Sequence, residues 1–263
     1  MGVNMKAVFA ATAILAGGFA ASANAATVVQ VASYTQVGGG KTFAWDGIGG
    51  NGGRLFSNST LASNASAAQI GAASAGWVDV LFNFNDDGLM GLQAQLLFSA
   101  TAPTGAATQL TATNPIRQSN LNGAFAFKYT GTTPMTAYGT TFTTGANLLS
   151  GTFTNGWLSV GGTSGGFADS FGLTGGTVTL ASAIIPANKL TDGDLGFSFT
   201  GVTPSAAIIG ANGTRQLKDF RASSGANFSA AAVPEPATWA MMIVGFGAAG
   251  ALLRRRSPAA ATA

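Results

Sequence analysis

The chain has no cysteine and no histidine, and only 8% of its 263 residues are charged. Without cysteine there is no disulfide framework, so a folded core must stand on packing and backbone hydrogen bonds. Without histidine a serine nucleophile lacks its usual base. Ordinary zinc, copper and haem sites likewise lose their commonest ligands. Glutamate occurs once, at Glu235. Between residues 26 and 233 eight basic residues stand against eight aspartates, a formal charge of zero, so the overall +3 comes from the two ends. A nucleic-acid binder carries a basic footprint on its folded domain, and this domain has none. Helical periodicity is equally scarce; residues 61–75 are the one stretch that suggests a short alanine-rich helix.

Short strands punctuated by Gly, Asn, Asp and Pro take its place. Val78, Val80, Phe82 and Phe84 alternate with Asp79, Leu81, Asn83 and Asn85, and Leu92, Ala94, Leu96 and Phe98 alternate in the same way. The Asn85-Asp86-Asp87-Gly88 turn between them predicts a hairpin. Phe125, Phe127 and Tyr129 mark a further strand, as do residues 177–181 and 195–200 with Phe197 and Phe199 inward. Asn155-Gly156 reads as a two-residue turn between residues 152–154 and 157–160. No fixed repeat signals a solenoid. The pattern predicts an all-β domain, an antiparallel β-sandwich of jelly-roll-like form, over residues 26–221. Residues 222–233, small and polar, read as a flexible linker.

Several chemical motifs occur without the context they need. Gly245, Gly247 and Gly250 spell a dinucleotide fingerprint with no βαβ unit around it. Gly162, Ser164 and Gly166 spell a nucleophile elbow with no histidine to serve it. Gly39-Gly40-Lys41-Thr42 resembles the end of a phosphate loop whose leading glycine is Thr35. Asn83, Asn85 and Asp87, followed by Gly88, fit the first half of a calcium loop, but Ala94 stands where the closing glutamate belongs. They are weak metal candidates, and a structural turn explains them as well. A glycosidase needs only two carboxylates, yet these aspartates cluster at turn positions. Trp45, Trp77 and Trp157 could supply a sugar-binding face or pack in the core. No cofactor is expected.

The two ends read as addresses. Residues 1–25 form a secretory signal: Lys6 is the basic region, residues 7–20 the apolar segment, and Ala23-Asn24-Ala25 an A-x-A cleavage site. The other end opens with Pro234-Glu235-Pro236, whose rings hold the backbone extended and unpaired. Trp239 and Ala240 follow, inside an uncharged, mostly apolar run over 237–253. At about 17 residues this run is near the short limit for a membrane-spanning helix. Arg254, Arg255 and Arg256 then stop transfer on the cytoplasmic side, and residues 257–263 form a short cytoplasmic overhang.

Pro-Glu-Pro-x-x-Trp-Ala, an apolar segment and an arginine cluster together resemble the PEP-CTERM sorting tail in its PEPxxWA variant, here over 234–256. The resemblance covers only the last thirty or so residues and the companion signal. It implies a Gram-negative exported protein, held transiently in the inner membrane and processed at or near the Pro-Glu-Pro segment by exosortase, a membrane-embedded thiol protease. It further implies a cell-surface or extracellular destination beside exopolysaccharide and biofilm. The expected core is a non-enzymatic surface or matrix domain; the alternative is a carbohydrate-binding or carbohydrate-active one.

Overall fold

The computed structural model describes residues 28–47, 52–103, 107–109, 115–162, 164–170, 176–209 and 215–231, with Phe246 alone beyond them. Within these lie fifteen β-strands in chain order: β1 Val28–Gln36, β2 Phe43–Asp46, β3 Gly53–Ser57, β4 Val78–Phe84, β5 Leu89–Ala102, β6 Ile116–Tyr129, β7 Met135–Ala137, β8 Thr140–Phe142, β9 Asn147–Gly161, β10 Ser164–Ser170, β11 Thr177–Ala181, β12 Asp194–Thr203, β13 Ile208–Ile209, β14 Gln216–Leu217 and β15 Phe220–Ala231. One short helix, α1 (Ala67–Ala72), sits between β3 and β4. The domain is all-β and antiparallel, as the alternation predicts.

Hydrogen bonding runs from β15 through β12, β10, β9 and β6 to β5. From β5 it returns to β15 twice, through β4 and β1 at one end and through β3 and β2 at the other. The ladder therefore closes on itself, which removes most free strand edges. Opposite inner faces also meet as in a sandwich. Phe98 of β5 lies 4.8 Å from Phe197 of β12, and Phe125 of β6 lies 5.0 Å from Phe228 of β15, centroid to centroid. Tyr34, Phe43, Phe127 and Phe199 join this aromatic core, where tilted and edge-on pairs add to the burial of their area.

The long strands carry the closure. β4 and β5 pair as the predicted hairpin, with Val78, Val80, Phe82 and Phe84 buried. Residues 177–181 form β11 and pair with β9. Two expectations are corrected. Asn155-Gly156 makes no turn: β9 runs through it, and Asn155 (φ 59°) faces a matching irregularity at Asn120 (φ 63°) in β6. A bulge and a turn both call for a residue tolerant of positive φ, and here the bulge bends a strand pair. Residues 61–75 do hold a short helix, the six-residue α1, which the Ser66–Gln69 capping box starts and Ala73, already extended, ends. Residues 222–231 are no linker. They belong to β15, with Ala222, Ala226, Phe228 and Ala230 buried in the core.

α1 belongs to a strap, residues 58–76, that covers the outer face of β2 and β3. Ile70 and Ala65 pack there on Ala44 and Phe56 as a second small core.

Candidate functional site

Two arginines hold the strap down. Arg54 bonds Asp46 through Nε at 2.8 Å, donates to the Gly71 carbonyl at 2.7 Å and stacks over Phe56. Arg221 projects from the outer face of β15 and is 1% exposed beneath the strap. Its Nη2 donates to the carbonyls of Lys41, Asn58 and Leu61, the latter two at 3.2 and 3.3 Å. Burial lowers the guanidinium pKa to about 10, so it stays cationic at neutral pH. Asp219, just before β15, accepts from the Gly47 N–H at 2.7 Å. Burial raises its pKa, the Gly47 bond opposes the rise, and Asp46 adds to it.

Two of the three calcium candidates, Asn83 and Asp87, are spent on separate neighbours. Asn83 accepts from the Gly91 N–H at 2.8 Å and donates to Ser33 at 3.1 Å, while Asp87 accepts from the Tyr138 N–H at 3.1 Å. Asn85 bonds the Val31 carbonyl through its backbone, and its buried Oδ1 has no partner among the described residues. Next to them Asp86 pairs with Lys189 at 2.6 Å. This turn thus anchors β4–β5 to Ser33 and to the 138 and 189 loops. Gly162 (φ 58°) lies in the connection between β9 and β10, where Ser164 pairs with Gly161, so the elbow-like motif is part of a hairpin.

Of the tryptophans, Trp45 is fully buried, with Nε1 donating to the Leu217 carbonyl at 3.0 Å. Trp77 and Trp157 are half-buried on the outer surface, the first under Lys128 at 4.1 Å and the second under Arg117 at 5.0 Å. Between them the outward residues of β11, β9, β6 and β5 fall into register. Thr179, Thr152, Ala124 and Ser99 make one row, and Ala181, Ser150, Ala126 and Leu97 the next. Beside them Thr154 and Thr177 hydrogen-bond at 2.9 Å. These rows hold hydroxyls and methyls and no charge. Neither this face nor the two strap arginines stood out in the sequence; only the excess of threonine and serine hinted at the former.

Ala23, Ala25, Pro234, Glu235, Pro236, Trp239, Ala240 and Arg254 to Arg256 lie outside the described residues, as does the apolar run 237–253 apart from Phe246. Among the described residues no helix is long and apolar enough to cross a membrane. The core strand β15 ends at Ala231, with Ala232 and Val233 between it and Pro234.

An all-β domain that leads straight into a C-terminal address defines the class, an exported protein with a sorting tail. The tail is a PEP-CTERM protein-sorting motif, matched by its family model over residues 232–256. The motif marks the chain as an exported substrate of exosortase with a transient membrane anchor. Neither the curated proteins nor the solved structures yield a match to the chain.

Proposed function

We propose that the core works outside the inner membrane of a Gram-negative cell, as a non-enzymatic component of the surface or polysaccharide matrix associated with exopolysaccharide and biofilm. The sorting motif carries this reading. The interior supports it, since converging phenylalanines rather than polar groups fill it. So do five of the eight aspartates, which serve structure: Asp46 pairs with Arg54, Asp79 accepts from Gln95, Asp86 pairs with Lys189, Asp87 holds Tyr138 and Asp219 holds Gly47.

The second reading is an exported carbohydrate-binding domain, favoured by the uncharged rows on β11, β9, β6 and β5. Neutral glycans present hydroxyls and apolar ring faces, which such a surface matches without a desolvated charge. The experiment is glycan-array binding by the processed protein, with hydrolysis assayed on the same glycans. Binding lost in Thr152→Lys supports the second reading. Hydrolysis on any glycan contradicts a non-enzymatic role.

A further inference from the structure

The sequence suggests a flexible tether between core and sorting motif, and the structure removes it. Ala231 pairs with Val28, Ala230 with Val29 and Ser229 with Gln30. Ala230 is buried, and Phe228 beside it is fully so. Only Ala232 and Val233 then separate the ladder from Pro234. Fully extended, the step from Ala231 to Pro234 spans about 10 Å. A protease embedded in the membrane grips an extended substrate on both sides of the cut. Beyond Ala232 and Val233, any residue it grips upstream of the Pro-Glu-Pro segment comes from β15 itself.

The two sides of β15 are not held alike there. Its pairing with β12 begins at Ser229, opposite Asp194, so Ala230 and Ala231 are held by β1 alone. The rungs at Ala230 and Ala231 can open without disturbing β12, and opening the one at Ser229 costs β12 only its end pair, with Asp194. Strand ends of this kind open first, at far lower free energy than the whole domain.

We propose that residues 229–231 are part of the segment that exosortase engages, and that their release from β1 precedes processing. The proposal rests on sorting through the PEP-CTERM motif. It assigns the folded core a second role. The core seals the upstream half of the recognition segment until β1 lets go, and after cleavage the strand closes again as the permanent C-terminus of the domain.

The absence of cysteine makes a clean test possible. Opposed residues in an antiparallel ladder alternate between hydrogen-bonded and close non-hydrogen-bonded pairs, so one of Val29–Ala230 and Gln30–Ser229 is the close kind. That spacing suits a disulfide. Both double variants, V29C/A230C and Q30C/S229C, are made in the full chain and exported to an oxidising periplasm. Mass spectrometry identifies the cross-linked one, and pulse-chase follows shortening in a host with exosortase. The proposal expects shortening to be lost in the cross-linked variant and restored by dithiothreitol. A Gly/Ser insert of about ten residues after Ala231, reaching roughly 17 Å, restores it without reductant. Shortening of the cross-linked chain at the wild-type rate overturns the proposal. So does a cross-linked chain that still needs reductant when the insert is present. Failure of both pairs to cross-link contradicts the register on which the proposal stands. Wild type left unshortened with exosortase, or shortened without it, contradicts the sorting reading and the proposal with it.

Discussion

Val28 and Ala231, at the two ends of the described core, face each other across the last rung of the β1–β15 ladder. The domain thus begins and ends at one place, and β15 closes the ring on both of its edges, against β1 and β2 on one and β12 on the other. A chain ended after Ala231 should melt cooperatively. A chain ended after Arg221 loses Ala222, Ala226, Phe228 and Ala230 from the core and should show no cooperative transition by circular dichroism.

Arg221 should matter more than a surface arginine. Replacing it with leucine leaves the carbonyls of Lys41, Asn58 and Leu61 without their donor under the strap. Buried acceptors stripped of a charged donor cost about 2–4 kcal/mol in total. Urea denaturation of Arg221→Leu measures this. Lysine should recover part of the loss, because all three bonds come from the single nitrogen Nη2, which an ammonium can replace as far as the shorter side chain reaches.

Asp219 gives a pH signature. Its folded pKa is raised, so between the ordinary carboxylate value and the raised one the native state binds more proton than the unfolded chain. That contribution is complete below the ordinary carboxylate range and is lost as pH rises through the raised value. Asp219→Asn keeps an acceptor for the Gly47 N–H and removes the buried charge. It should therefore raise Tm at pH 7, with the gain shrinking as pH falls toward the carboxylate range. Thermal melts across that range check the sign.

Gly53 lies against the buried Trp45 ring, and a Cβ there would fall on the ring itself. Gly53→Ala should destabilise by about 1–3 kcal/mol, as overpacking does. A shift in tryptophan fluorescence should accompany it, since Trp45 has to move.

What was legible in the sequence follows from how local each signal is. Large side chains alternating at period 2 gave away β4, β5 and the inward Phe197 and Phe199 of β12. β15 alternates just as strictly, with Ala222, Ser224, Ala226, Phe228 and Ala230 inward. Its inward residues are mostly small, however, and of these five Phe228 alone carries a ring, which packs on Phe125, Phe127 and Phe197. The run therefore resembles a tether. Asn155 was ambiguous for another reason: turn and bulge need the same backbone angle. The burial of Arg221 depends on strap carbonyls some 160 residues away in sequence, as for Leu61, and no local pattern encodes that. The sorting tail is a linear address and was readable directly.

The most direct test of an exported, exosortase-sorted protein is intact-mass spectrometry of the mature chain from the surface fraction, in hosts with and without exosortase. The account predicts that the chain from the host with exosortase ends between Ala231 and Ala237, directly after its last strand. It also predicts that this species is absent without the enzyme. Mature protein from the host with exosortase that still carries Arg254, Arg255 and Arg256 would contradict it.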